Sequence, residues 1–100
     1  MKQATVYMLL CADGSFYTGW TNDLLKRIET HSTGRGAKYT RSRRPLVLAY
    51  AEAAAGRGEA MRREAEIKGL SHAQKAALAE AFASDTAEAL LCQESENANG

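Results

Sequence analysis

A strong β-hairpin signal near the start of the chain constrains the fold more than any other feature. Residues 5–11 read TVYMLLC, which begins β-branched and aromatic and then becomes continuously apolar, as is typical of a strand. The turn-forming run ADGS occupies residues 12–15, and strand character returns in FYTGW, residues 16–20. The sequence therefore predicts two antiparallel strands at the start of the domain.

The rest of the chain alternates helical and strand patterns. Asn22 is a good N-cap for a first helix that ends before Gly34. The apolar run at residues 46–50 predicts a third strand, and residues 59–68 and 71–83 predict two further helices. The predicted fold class is α/β, of the α+β type: a small, mainly antiparallel three-stranded sheet flanked by helices in the order β-β-α-β-α-α.

Length and composition predict one domain. A chain of 100 residues is close to the commonest domain size, and we assign residues 1–92 to the domain and the polar residues 93–100 to a disordered tail. The longest apolar run, residues 6–12, is too short to span a membrane, and no leader pattern is visible. The two cysteines form no pairing pattern. We expect a cytoplasmic protein that does not enter membranes.

The charge is unevenly distributed along the chain. The net charge is only +1, but residues 20–70 hold eleven Lys and Arg against six acids, while the remaining residues hold two against six. This segregation predicts an anionic partner, with DNA as the leading candidate. Residues 35–44, the basic segment, combine five cations with one aromatic residue, which suits phosphate contact with base stacking. A solvated charged loop is the alternative. The candidate DNA-binding residues are Arg35, Lys38, Tyr39, Arg41, Arg43 and Arg44.

The first helix carries two predicted faces. Leu24, Leu25 and Ile28 lie at helical spacing and form the predicted packing face. Arg27 and His31 are four residues apart, so they share a second face on which two cation-capable side chains can hold a phosphate. The alternative for both residues is ordinary solvation at the surface.

A carboxylate falls on the predicted buried stripe of the helix at residues 59–68. That stripe contains Ala60, Met61, Glu64 and Ile67, which lie three and four residues apart. A partly buried carboxylate is costly unless it is paired or binds a metal. Glu64 is therefore either a metal ligand or half of a structural ion pair with an arginine of the first helix.

The order of these motifs resembles the GIY-YIG nuclease superfamily, and most closely its small stand-alone bacterial branch, the YhbQ-like proteins. That branch is in turn similar to the catalytic domain of the Slx-type structure-specific endonuclease. The resemblance runs from about residue 5 to residue 78. Two motifs depart from the name-giving pattern, since this chain has TVY and YTG where the family has GIY and YIG. The resemblance is carried by Tyr7, Tyr17, Gly19, Asn22, Arg27, His31, the loop GAKYTR at residues 36–41 and Glu64.

The resemblance implies a metal-dependent DNA endonuclease acting in DNA repair or recombination. By family pattern, Glu64 is the single protein ligand of Mg²⁺ or Mn²⁺, and one carboxylate is sufficient where substrate phosphate and water complete the shell. Tyr17 activates or supplies the attacking oxygen with help from Tyr7. Arg27 clamps the scissile phosphate, and His31 has the position of a supporting base.

Two alternatives from other functional classes remain at this point. One is a DNA-binding module of the same fold that is catalytically silent or needs a protein partner. The other is a protein-interaction domain whose basic segment meets an acidic protein.

The nuclease hypothesis makes a demand on the hairpin register. A plain two-residue loop would pair Leu10 with Tyr17 and place Tyr7 and Tyr17 on opposite faces of the sheet. A shared site requires an odd-length loop or a bulge. Gly19 is then expected on the same face, leaving room for the phosphate or metal waters, and Asn22 is expected to be structural near the site.

Overall fold

A computed structural model describes the backbone of residues 3–98 and the side chains of residues 3–85. The order of the main elements is the predicted one, with a short extra helix inside the basic segment, where the sequence predicted only a loop. The elements are β1 Thr5–Leu10, β2 Phe16–Thr21, α1 Leu24–Ser32, α2 Lys38–Arg41, β3 Val47–Ala53, α3 Arg57–Lys68 and α4 His72–Ala98.

The three strands form one antiparallel sheet in the order β2-β1-β3. The predicted fold class is thus confirmed. α4 continues through Ala98, past residue 92 where the sequence predicted a disordered tail to begin, and the last two residues lie outside the described part. The domain boundary at residue 92 stays a prediction. No helix among the described residues is long and apolar enough to cross a membrane.

The hairpin register is the one that places Tyr7 and Tyr17 on one face of the sheet. Leu10 pairs with Phe16, so five residues connect the two strands and the loop is odd in length. Tyr7 consequently pairs with Gly19, and Tyr17 pairs with Leu9. Since alternate residues of a strand share a face, Tyr7 and Tyr17 lie on the same side of the sheet, as the nuclease hypothesis required.

The opposite side of the sheet holds the apolar core. Val6 and Met8 are fully buried there against Ala60 and Ile67 of α3. Trp20 packs against this cluster, so its ring contributes to the core. The even-numbered residues of β1 and β2 therefore face α3, and the odd-numbered residues face α1.

The structure corrects the predicted start and packing face of α1. Asp23, and not Asn22, is the N-cap, because its carboxylate accepts a hydrogen bond from the amide of Lys26. Leu25 is 82% exposed and does not pack. The buried residue is His31, which shares the inner stripe with Leu24 since positions seven apart lie on one side of a helix.

α3 also differs from the prediction at one position. Ala60 and Ile67 are buried as expected, and Glu64 is partly buried, with 21% of its side chain exposed. Met61 is 49% exposed, so the predicted apolar stripe is narrower than its spacing suggested. α4, predicted over residues 71–83, begins at His72 after a capping box in which Ser71 Oγ accepts from the Gln74 amide and Gln74 Oε1 accepts from the Ser71 amide.

Candidate active site

A chain of buried hydrogen bonds connects β1, α1 and α2. The Tyr7 hydroxyl lies 3.0 Å from Nε2 of His31, and Nδ1 of His31 lies 2.9 Å from Oγ1 of Thr40. The Thr40 hydroxyl in turn donates to the carbonyl of Ala37 at 2.9 Å. All three side chains are at most 1% exposed. The network is therefore isolated from solvent over most of its length.

The last of these bonds fixes the tautomer of His31. Because the single hydroxyl proton of Thr40 is donated to Ala37, Thr40 can only accept from His31. Nδ1 of His31 consequently carries the ring proton, and Nε2 is left as an acceptor for the Tyr7 hydroxyl. Every bond in the chain runs in one direction, from Tyr7 to Ala37.

Burial sets the protonation of this pair. Burial raises the pKa of the Tyr7 hydroxyl well above its usual value; nearby Tyr17 and Glu64 raise it further, and Arg27 opposes the rise. Burial, and then Arg27, lower the pKa of His31 below its ordinary value of 6.5. At neutral pH Tyr7 is therefore protonated and His31 is neutral, as the direction of the hydrogen bonds requires. The same effects place Arg27 and Glu64 within electrostatic reach of Tyr7.

The second tyrosine lies beside the first and is more accessible. The ring of Tyr17 is 6.5 Å from that of Tyr7, 5.2 Å from that of His31 and 6.1 Å from that of Tyr39. Tyr17 is partly exposed, whereas Tyr7 is almost completely buried. Of the two predicted tyrosines, Tyr17 is the one that a ligand can touch directly.

Two glycines make room for the site's own side chains. A Cβ on Gly19 would lie 2.6 Å from the Tyr7 hydroxyl oxygen, and one on Gly36 would lie 2.2 Å from Nδ1 of His31. Gly19 shares the face of Tyr7 as predicted, but the ring of Tyr7 fills the space expected for phosphate or metal waters. Gly36 likewise accommodates the ring of His31.

Arg27 lies at the border between the buried network and solvent. It is exposed, and its guanidinium forms no hydrogen bond or ion pair with any described side chain. It lines a surface pocket of about 310 Å³ in which Asn22 is also placed, so Asn22 belongs to the wall of the pocket and does not cap α1. The other lining residues are Thr21, Asp23, Lys26 and Thr30. An unpaired arginine beside an open pocket is suited to an anionic ligand.

Glu64 is paired within its own helix. Its Oε1 accepts from Nζ of Lys68 at 2.8 Å, one helical turn further on. The sequence analysis offered an ion pair between Glu64 and an arginine of the first helix as the structural alternative. Glu64 does form an ion pair, but its partner is Lys68 and not an arginine of α1. Among the described residues no group of three or more His, Cys, Asp and Glu side chains could hold a metal. Any cation here would rely on the single carboxylate of Glu64.

The basic segment divides into structural and free cations. Arg43 pairs with Asp13 at 2.9 Å, donates to the Tyr39 carbonyl and lies 3.8 Å above the Tyr39 ring. Arg44 donates to backbone carbonyls of residues 32 and 41, and Arg35 donates to a threonine hydroxyl. In contrast, the exposed side chains of Lys38 and Arg41 have no polar partner within residues 3–85. These last two are the available cations of the segment.

Sequence reasoning missed four residues near the site. Thr40 fixes the His31 tautomer, and Lys68 holds Glu64. Lys75 and Thr18 line a groove beside Tyr17. The spacing of Lys68 four residues after Glu64 is a readable signal for an ion pair on a helix. The other three depend on contacts between distant segments, which leave no local pattern.

Comparison with known proteins now identifies the family. Residues 3–77 match the GIY-YIG catalytic domain. The chain belongs to the GIY-YIG family. This match covers the network, Tyr17, Arg27 and Glu64, and it associates the domain with a nuclease superfamily.

Relatives of this GIY-YIG domain carry the name UPF0213. One from Staphylococcus haemolyticus is 52% identical over 75 residues, covering 75% of this chain and 92% of the relative. One from Halobacterium salinarum is 52% identical over 73 residues, covering 73% and 95%. The solution structure of a UPF0213 protein from Bacillus halodurans is 47% identical with a TM-score of 0.51, covering 78% and 83%. A solution structure from E. faecalis is 39% identical with a TM-score of 0.56, covering 82% and 88%. These names assign no activity.

Proposed function

We propose that this GIY-YIG domain is a metal-dependent endonuclease that hydrolyses a DNA phosphodiester bond in repair or recombination. The observation that carries the proposal is the odd-length hairpin loop. It brings Tyr7 and Tyr17 to one face of the sheet, with ring centroids 6.5 Å apart, against a neutral His31. Arg27 and Glu64 lie within electrostatic reach of the same point.

The charge distribution favours DNA as the substrate. A phosphate at the Arg27 pocket would meet an unpaired guanidinium, which offers donors in bidentate geometry. Lys38 and Arg41 extend the free positive charge along the basic segment. Arg43 and Arg44 contribute mainly by holding that segment in place.

Glu64 is the residue that would hold the metal. GIY-YIG nucleases generally use divalent metal ions, and the donor set here suits Mg²⁺ or Mn²⁺. Magnesium keeps several waters and is commonly held by one or two carboxylates together with substrate phosphate, so a lone, partly exposed Glu64 fits it. When bound, the ion would neutralise charge that develops on the phosphate and the leaving oxygen.

The protein's own side chains supply orientation and a proton acceptor. Tyr17, the accessible tyrosine, contacts the attacking water, and Arg27 holds the phosphate. The proton that Nε2 of His31 can take up is that of the Tyr7 hydroxyl, whose oxygen would in turn accept the proton of the attacking water, and the bond of Nδ1 to Thr40 stays intact. Tyr7, which donates to that nitrogen, keeps His31 beside Tyr17.

Cleavage assays with two conservative variants test this proposal. The purified protein is incubated with Mg²⁺ or Mn²⁺ and a panel of duplex, flap, branched and single-stranded DNAs. We expect nicking of at least one substrate, and a loss of at least about a hundredfold in Glu64→Gln or Tyr17→Phe, since each removes a group that contacts metal or attacking water.

Glu80→Gln is the matched control, because it makes the same chemical change at an exposed carboxylate of α4 that has no described partner. It should cut like the wild type. Circular dichroism should show all variants folded. If the wild type cuts no DNA with either metal, or if Glu64→Gln cuts as fast as Glu80→Gln, the proposed nuclease mechanism is wrong.

One observation favours a second candidate function. Lys68 already occupies an oxygen of Glu64, so a DNA-binding module without catalysis would leave this pair intact. Such a module predicts salt-dependent DNA binding that neither metal nor Glu64→Gln changes. Binding without cleavage would select this alternative.

A further inference from the structure

A second groove lies beside Tyr17, lined by residues that do not belong to the Tyr7 and His31 network. It has a volume of about 210 Å³ and opens at the free edge of β2, between that strand and the α3–α4 turn. It shares none of its lining residues with the Arg27 pocket. The lining residues are Phe16, Tyr17, Thr18, Tyr39, Lys68 and Lys75.

Lys75 is a cation without a partner in this groove. Its side chain is partly buried, yet its ammonium group forms no hydrogen bond or ion pair with any side chain the structure describes. Lys75 also lies in the first turn of α4, where the helix dipole disfavours a positive charge. Both features are costly in the free protein, and both would be relieved by an anion in the groove.

Thr18 supplies a second unsatisfied group. The residue is 3% exposed, and its hydroxyl oxygen has no hydrogen-bond partner. Buried hydroxyls are normally paired, because an unpaired one loses its bond to water without gaining another. Since Thr18 lines the groove, a rotation that turns this buried hydroxyl toward it would let an anionic oxygen accept the hydrogen bond.

The remaining cation of the groove is already engaged. Lys68 is held by Glu64 at 2.8 Å, which leaves Lys75 as the available positive charge. The rings of Phe16, Tyr17 and Tyr39 provide apolar walls of the kind that suit sugar or base. The groove thus combines one free cation, one free donor and aromatic surface beside the proposed catalytic tyrosine.

We propose that this groove binds a DNA backbone phosphate next to the scissile one, with Lys75 and Thr18 as its contacts. The proposal rests on the proposed function, because the neighbouring phosphate is that of the DNA strand being cut. It adds a contact from the α3–α4 side of β2, in a groove that also includes Tyr39 of the basic segment. The strand would therefore cross the edge of β2 at Tyr17.

Binding assays separate this inference from the cleavage reaction. Affinity for a fluorescently labelled DNA duplex is measured in EDTA at several salt concentrations. Loss of one phosphate contact should flatten the slope of log affinity against log salt by about 0.9. We expect this change in Lys75→Ala and no change in Arg62→Ala, which removes an exposed cation of α3 without a described partner.

The phosphates themselves can be tested one at a time. Each is replaced in turn by a neutral methylphosphonate, which should weaken wild-type binding several-fold at the position that meets the groove. In Lys75→Ala the same methylphosphonate should not weaken binding further, since the substitution and the neutral phosphate each remove the same contact. Independent effects of the two changes would overturn the assignment.

Thr18→Val gives a readout that a purely structural role would not produce. Removing the unpaired hydroxyl should raise the melting temperature while lowering DNA affinity. A variant that binds DNA like the wild type would refute the role of Thr18. If the wild type binds DNA and Lys75→Ala binds it equally well with the same salt dependence, the phosphate site in the groove is wrong and the proposed function is unaffected. If the wild type shows no salt-dependent DNA binding, both the phosphate site and the proposed function are wrong.

Discussion

Replacing Gly19 with alanine tests the register on which the candidate site depends. Gly19 pairs with Tyr7 across β1 and β2, and an added Cβ would lie 2.6 Å from the Tyr7 hydroxyl oxygen and 2.8 Å from Cζ. The Tyr7 ring is 1% exposed, so it cannot move into solvent. The substitution must therefore displace the ring and lengthen its 3.0 Å hydrogen bond to His31.

The expected cost follows from two separate effects. Overpacking a buried site costs about 1–3 kcal/mol, and leaving a buried polar group such as Nε2 of His31 unpaired costs about 1–3 kcal/mol. The free energy of unfolding should fall by about 2–6 kcal/mol. For a domain of this size each kcal/mol lowers the melting temperature by about 4–8 °C, so we expect a decrease of at least about 8 °C.

Thermal unfolding followed by circular dichroism provides the measurement, and Gly58→Ala is the matched control. Gly58 lies inside α3 with no atom within 4 Å of an added Cβ, so alanine there should stabilise by about 0.5–1 kcal/mol. The Gly19 substitution should also cost less in a Tyr7→Phe background, where the nearest clashing atom is absent. A Gly19→Ala protein as stable as the wild type would refute the packing of Tyr7 against Gly19.

Two further predictions concern the buried network. Thr40→Val leaves the Nδ1 proton of His31 unpaired and should cost about 1–3 kcal/mol in urea unfolding, whereas Thr40→Ser keeps the hydroxyl and should cost less; equal losses would contradict a contribution of this hydrogen bond to stability. Because burial and Arg27 hold the pKa of His31 below 6.5, the unfolded chain binds more protons between the two pKa values. The free energy of unfolding should therefore fall as the pH drops below about 6.5. His31→Gln should abolish this fall. If the variant loses stability with falling pH as the wild type does, His31 is not the cause of the pH dependence.

The sequence was sufficient for the sheet and for the main requirement of the site. The hairpin signal located β1 and β2, and alternation of side chains then left a single question, the parity of the loop. The dipeptide Asp13-Gly14 is compatible with a two-residue loop, which would have separated Tyr7 from Tyr17. Only the observed pairing of Leu10 with Phe16 decides the parity.

Helix faces were harder to predict, because a short helix offers few apolar positions. In α1 the pair Leu24 and Ile28 defines one possible stripe, and the pair Leu25 and Ile28 defines another. The true stripe includes a histidine, since His31 has hydrogen-bond partners on both ring nitrogens and can be buried without penalty. Those partners lie in β1 and α2, so nothing local marks His31 as an inner residue.

The basic segment illustrates a second limit of sequence reasoning. Its cations look equivalent when counted, yet Arg43 is fixed by Asp13 of the hairpin loop while Arg41 is free. The ion pair joins residues 30 positions apart, and an added backbone bond from the Ala12 amide to the Arg43 carbonyl strengthens the link. A charge count predicts an anionic partner but cannot separate the cations that bind it from those that support the fold.

Glu64 can form a structural ion pair in the free protein and still be available as the proposed metal ligand. A partly buried carboxylate needs a counter-charge, and Lys68 one turn later supplies it in the free protein. With 21% of the Glu64 side chain and 55% of the Lys68 side chain exposed, the pair is weak enough to exchange. Lys68 also lines the groove beside Tyr17, so an ammonium group released from Glu64 would remain next to the proposed phosphate. The ion pair therefore keeps the carboxylate in position without closing it to a metal.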